Sequence, residues 1–296
     1  MASPVDWKEK TSWRTFPVLN QERKNTCVAN TMAKLLGIMY YLRDGIYIDF
    51  SRSDIYRRRV NKPTAGMVSN DAFQIAQNGV TLEDFVSSNQ LTDAEIDALA
   101  VEKFKEEIGS VLKISNYLTI PSGDFETVAS TIQATGKGVM VWFYFNSNEW
   151  SSKYPKVIDN QLTSVNALRH SVTADDWGLI KSKKYIKIED SAWFGGINER
   201  WISEEFFKAR NFYSAYAINF KFDAPDVKPH YIQGNVKSLQ DCLKYEQLFP
   251  SNIDSSGILG PITKKAVIDF QIKYGLNPPL GNVGPLTTTK LVSLFP

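Results

Sequence analysis

The chain has 296 residues, of which 43% are hydrophobic and 22% charged, and a net charge of +2. That length suits one large or two ordinary domains, and the small charge, with no arginine-rich strip interleaved with aromatics, argues against a nucleic-acid partner. Two cysteines and two histidines are too few for a structural zinc site or a disulfide framework, so no metal and no cofactor is expected, and the longest apolar run, 138–145, is far too short to span a bilayer.

Residues 2–19 read as irregular or extended, anchored by Trp7, Trp13 and Phe16. The segment Met1–Trp7 has no apolar core of a signal peptide, so the expectation is cytoplasmic synthesis with later release, or a leader already trimmed away. Val28, Met32, Leu35, Leu36 and Met39 then recur at helical spacing and predict a helix over about 27–43, capped by Asn25 or Thr26. Cys27 falls in its first turn, where unpaired N–H groups and the helix dipole favour a thiolate, and Arg23 and Lys24 act in the same sense. Read alone, the stretch suits an inert buried cysteine equally well. Further helices are expected over 71–78, closed by Gly79, from the capping box Thr92–Glu95 to about Ile108, and from the cap Asp124 to Gly136.

The pattern then changes to strands. Residues 139–145 alternate with both faces apolar, and 171–174, 184–188 and 214–220 also read as extended. Helices first and strands later predict an α+β domain with a helical lobe and an antiparallel sheet lobe, and a cleft between them. Phe222–Gly234 carries two prolines and no periodicity and reads as a linker containing a solvated His230. Beyond it, Gly257-Ile-Leu-Gly-Pro-Ile-Thr263 is echoed by Gly281-Asn-Val-Gly-Pro-Leu-Thr287, each with proline at a helix start. With 236–245 this gives a small three-helix domain in which Cys242 is a core residue. The expected boundaries are 1–222 for the first domain, 223–234 for the linker and 235–296 for the second domain.

A cysteine nucleophile needs a base, an orienting group for that base, and donors for the oxyanion of acyl transfer. His170 opens a predicted strand about 140 residues after Cys27, inside the roughly 130–150-residue spacing of one class of cysteine–histidine hydrolases. Asp190 ends the next strand, where a carboxylate can fix the imidazole tautomer. Gln21, six residues before Cys27, can offer its amide to the oxyanion beside the Cys27 N–H.

These residues, with Val5–Lys10, Arg169–Ala174 and Asp190–Trp193, fall in the order of a papain-family mature domain, which residues 4–222 resemble throughout. The resemblance implies a papain-like two-lobed fold. It makes Cys27 the nucleophile, His170 the base, Gln21 the oxyanion-hole glutamine and Trp193 the tryptophan that shields the orienting hydrogen bond. Asp190 stands where the family has asparagine; the added charge is expected to strengthen the thiolate–imidazolium pair and move the acid limb of activity. The aromatic that follows the family's cysteine is replaced by Val28, and the paired glycines of its substrate cleft are missing, with Gly66 in Ala65-Gly66-Met67 marking the equivalent substrate-binding place. Residues 234–296 resemble a three-helix peptidoglycan-binding domain, on Val236–Gln240, the two Gly-Pro motifs, Ala266–Gln271 and Gly275-Leu276.

The resemblances together imply a cysteine peptidase that cuts a peptide or protein substrate and acts extracellularly or at the bacterial cell wall, held there by peptidoglycan. Two rival readings use the same residues: a non-catalytic wall-binding or virion protein with this fold, and a peptidoglycan amidase, that is, a lysin cutting the sugar–peptide bond.

Overall fold

The longest helix of the molecule, α1 (Cys27–Asp44), carries residues that are buried on nearly every side: Val28, Met32, Leu36 and Ile38 are all fully buried. A helix this apolar must lie between other elements. It ends at Gly45, whose positive φ of 74° lets its N–H turn back to Tyr41 O. The computed structural model describes residues 4–110, 112–221 and 229–296.

Against α1 pack α2 (Arg52–Arg57) and α3 (Ser69–Gln77), with α4 (Asp93–Asp97) on α2 and then α5 (Lys103–Ser110) following in the chain. The capping box at Thr92 forms as expected, with reciprocal bonds to Glu95. The single helix expected from it breaks into α4 and α5. Asp97, the last residue of α4, is held through both carboxylate oxygens by the fully buried Arg59, and that tertiary anchor overrides helix propensity beyond it.

The chain continues through β1 (Lys113–Ile114), β2 (Tyr117–Ile120), α6 (Phe125–Thr135), β3 (Val139–Phe145), α7 (Ser147–Trp150), β4 (Leu168–Ile180), β5 (Lys183–Glu189), β6 (Glu199–Ser203), α8 (Glu204–Arg210), β7 (Asn211–Ala217) and β8 (Phe220–Lys221). Six of these strands form one antiparallel sheet in the order β2-β7-β3-β4-β5-β6, and β1 pairs with β8. The two-faced apolar pattern of β3 now has its reason. Met140 faces the helical core around α1, whereas Val139, Val141, Phe143 and Phe145 face a second core with α6 and α8. The strand order sets His170 of β4 opposite Phe143 of β3. β6 has no strand signature in the sequence, because its second residue, Arg200, is a charged side chain that is completely buried.

The last elements are α9 (Val236–Tyr245), α10 (Pro261–Lys273) and α11 (Pro285–Leu294), which enclose a third core containing Cys242, Leu243, Val267, Phe270 and Leu291. Both helices of the echoed motif begin at its proline. The echo is a shared clamp. Gln240 accepts from Gly257 N–H at 2.9 Å and donates to Ile258 O at 3.1 Å and Thr263 Oγ1 at 2.9 Å. Gln271 repeats the pattern with Gly281 N–H at 2.9 Å, Asn282 O at 2.8 Å and Thr287 Oγ1 at 2.9 Å. Of the expected linker, residues 223–228 lie outside the described residues. Its second half packs on the third core: Tyr231 is 6% exposed and its N–H donates to Phe295 O at 3.0 Å. His230 stays exposed, as expected, with Nδ1 against Pro296 O.

Candidate active site

Cys27 lies at the N-terminus of α1 as the apolar periodicity predicts. Neither expected cap uses its side chain on the helix. Instead Asn30 Nδ2 donates to Thr26 O at 2.9 Å and to Thr26 Oγ1 at 3.0 Å. No side-chain cap takes the first-turn N–H groups of α1. Thr31 Oγ1 donates to Cys27 O at 2.9 Å and accepts from Ser171 Oγ at 3.1 Å, a buried link that ties α1 to the strand carrying His170.

His170 is 5% exposed and Asp190 1%. His170 Nε2 lies 2.7 Å from Asp190 Oδ1, so Nδ1 is the ring nitrogen left for Cys27, which lines the same cleft. Burial alone raises the Cys27 pKa. The hydrogen bond and charge of His170, with the Ser171 and Val28 N–H groups, bring it below the ordinary thiol value. Burial likewise works against the imidazolium, yet the Asp190 carboxylate and the thiolate raise His170 to about 10. Asp190 falls to about 2 against its own desolvation, through His170 first and then Arg200 and Trp150. The arrangement suits a thiolate–imidazolium pair with a carboxylate behind it. The basic side chains expected to help do so little: Lys24 pairs with Glu22 at 2.8 Å and donates to Ser88 O at 2.7 Å, and Arg23 is exposed.

Gln21 is fastened to the segment after Asp190. Its Oε1 accepts from Ser191 Oγ and its N–H donates to Ser191 O, both at 2.9 Å, while one hydrogen of Nε2 goes to Lys24 O at 2.8 Å. The second amide hydrogen remains for a ligand, and Gln21, Cys27 and His170 line the same open cleft of about 720 Å³ between the lobes. Gly66 lines it too. Its φ is +84°, and no atom beyond its chain neighbours lies within 4 Å of where a Cβ would stand, so it keeps that wall open. Its N–H donates to Tyr56 OH at 3.1 Å.

Trp193 is placed elsewhere than the resemblance implies. It is 40% exposed, in the left-handed region at φ 52°, and its indole N–H donates to Leu19 O at 3.2 Å. The tryptophan on the orienting bond is Trp150, whose Nε1 donates to Asp190 Oδ2 at 2.9 Å and whose ring meets His170 edge-on at 6.4 Å. Arg200 binds the same Oδ2. Neither residue is visible from the sequence, since they lie 40 and 10 residues from Asp190 and share no spacing with it.

The family model for papain family cysteine proteases matches residues 1–219, and that for a peptidoglycan binding domain matches residues 233–291. Among solved structures, digestive procathepsin L 3 of Tenebrio molitor larval midgut superposes with a TM-score of 0.56 at 15% identity, covering 68% of this chain and 66% of that one, slightly under two thirds of its length. Xylellain, a cysteine protease from Xylella fastidiosa, gives 0.56 at 16% identity over 70% of this chain and 84% of its own. The bromelain protease from Ananas comosus, solved with the E64 inhibitor, gives 0.50 at 18% over 69% and 94%. At these identities the likeness is one of fold. No curated protein matches the chain.

Proposed function

The chain belongs to the papain family of cysteine proteases, and from that premise we propose that it hydrolyses peptide bonds at Cys27 and is directed to the bacterial cell wall by its C-terminal helices. The observation that carries this reading is Cys27 and His170 lining one interlobe cleft, with His170 hydrogen-bonded to the buried Asp190. In it, the Cys27 thiolate attacks an amide carbonyl. The oxyanion accepts from the Gln21 amide and the Cys27 N–H. His170 gives its proton to the leaving amine, and a thioester remains on Sγ. His170 then takes a proton from water, the hydroxide releases the acid, and the thiolate is restored.

Among the described residues the cleft is lined by Lys24 and Arg169 and by no carboxylate. Lys24 is paired with Glu22, but among the described residues no carboxylate pairs with Arg169. That balance favours peptides carrying free acids, as wall stem peptides do. Residues 1–222 would then form the peptidase domain and 235–296 the wall-binding domain.

The test is incubation of the purified protein and its Cys27→Ala variant with cell-wall sacculi and with an unfolded protein, products read by mass spectrometry. The expected result is new amine termini inside the peptide stems that vanish in the variant. Fragments of the unfolded protein alone would make it a general protease held at the wall. Loss of the stem from the sugar would make it an amidase. No product that depends on Cys27 would leave a binding protein.

A further inference from the structure

A carboxylate in place of an amide behind the imidazole puts an extra negative charge in a buried site, a costly arrangement unless it is compensated. Here the compensation is immediate. The Arg200 side chain is 0% exposed and its Nη1 binds Asp190 Oδ2, while Oδ1 takes His170 at 2.7 Å and the Ala192 N–H at 2.8 Å. Arg200 is itself held on several sides. Its Nε donates to Trp150 O at 3.0 Å, and its two terminal nitrogens to Ile197 O at 3.0 Å and Phe194 O at 2.6 Å. Its guanidinium carbon lies 4.9 Å from the Trp150 ring centroid. Asp190 thus sits between two cations. Thiolate, imidazolium, carboxylate and guanidinium sum to zero, the same total as a thiolate–imidazolium pair oriented by a neutral amide.

We propose that Arg200 is a positioning residue whose charge makes Asp190 act on His170 as a neutral acceptor would, so that the pair keeps the working pH range of an amide-oriented site. This rests on the assignment of Cys27, His170 and Asp190 above. Other charges packed nearby are already paired. Lys34 of α1 binds Glu189, Lys187 of β5 lies between Asp175, Glu189 and Glu199, and Arg210 of α8 binds Glu149 of α7. None of these is altered by the variants below.

A charge added beside an ion pair moves both of its proton equilibria in one direction. Without the Arg200 cation, the thiolate is protonated at higher pH and the imidazolium is also lost at higher pH. Without the Asp190 anion, both move down. Arg200 touches Asp190 and not the pair itself, and at an effective dielectric of ~20 a unit charge one group removed displaces each equilibrium by about one pH unit.

The experiment uses the full chain as wild type, Arg200→Met, Arg200→Lys, Asp190→Asn and the double variant Asp190→Asn/Arg200→Met. Two rates are measured from pH 4 to 11: turnover of an unfolded protein, and alkylation of Cys27 by iodoacetamide, which reads the acid limb without requiring turnover. Both limbs are expected to rise by about one unit in Arg200→Met and to fall by a similar amount in Asp190→Asn. In Arg200→Lys, and in the double variant, which leaves no buried charge uncompensated, they are expected at the wild-type positions even if rates are lower. A merely structural Arg200 would lower rates in Arg200→Met with limbs unmoved, and would leave the double variant displaced and worse than either single one; that result overturns the proposal. Where a single variant does not fold, the double variant decides by its limb positions. A protein that hydrolyses nothing still answers through alkylation, so failure of the peptidase reading and failure of this proposal remain distinct.

Discussion

What faces the sulfur separates the two cysteines. Cys242 lies in the third core, where burial pushes its thiol up to about 12 and leaves about 10⁻⁵ of it as thiolate at pH 7. Cys27 meets the His170 imidazole instead and falls below the ordinary value. Iodoacetamide at pH 7 should therefore label Cys27 at least ~100-fold faster than Cys242 in the native protein, and His170→Ala should slow the Cys27 reaction by more than ~10-fold. Peptide mapping after timed quenching reads both. Equal labelling of the two cysteines would remove the ion pair. The sign of the pH dependence follows from the same groups. His170 is raised from an unfolded value near ~6.5 to about 10, so the imidazolium half of the pair is present at neutral pH and is lost only as pH rises through that value. Activity should hold to about pH 9 and fall above it. A limb near pH 7 would show an imidazole that no neighbouring anion raises.

At the scale of elements, the sequence was legible wherever burial follows apolar side chains. The periodicity of Val28 to Met39 marks α1, alternation marks β3, and glycine and proline mark the ends of α6, α10 and α11. It was not legible where burial is polar. β6 hides Arg200, α4 stops at an aspartate held by Arg59, and the tryptophan against Asp190 comes from the short α7 instead of the neighbouring Trp193. Charged residues in the interior satisfy partners far away in the chain, and no local period records them. The candidate site divides in the same way. Cys27, His170 and Asp190 are brought together from helix and strand ends and Gln21 from the irregular segment before α1, whereas Trp150, Arg200, Ser171 and Thr31 emerge only from the tertiary arrangement. The echoed Gly-Pro motif has a structural reason of this polar kind, since Gln240 and Gln271 each hold one copy. Replacing Gln271 by leucine leaves the buried Gly281 N–H and the Thr287 hydroxyl without that partner, at about 2–3 kcal/mol, and Gln240→Leu costs less, at about 1 kcal/mol, because Gly257 is exposed and Thr263 keeps its bond to Ile258 O. Thermal unfolding followed by circular dichroism should show the loss for Gln240→Leu and Gln271→Leu in a C-terminal transition. An unshifted transition would mean that the motif is held by its prolines alone.

At the scale of the whole molecule, α1 connects the two proposed activities. Cys27 is its first residue, and its 18 residues rise about 27 Å to the other end. At that far end Met39, Leu42 and Arg43 face Lys265 and Ile272 of α10 across a cavity of about 570 Å³. The residues lining the catalytic cleft all fall between Gln21 and Tyr213, so the C-terminal helices add nothing to it. If these helices bind the wall as proposed, they would raise the local concentration of the cleft at its substrate without reshaping it. The third core is drawn entirely from residues 231–295, and neither of the other two cores uses them. A chain ending at residue 221 should accordingly keep its kcat/KM on a short soluble peptide within about 2-fold, while its rate on dilute sacculi falls by about 10- to 100-fold. Side-by-side progress curves with the full chain decide the matter. An equal loss on both substrates would mean that the helices support the fold of the peptidase, and no loss on sacculi would mean that they bind something other than the wall.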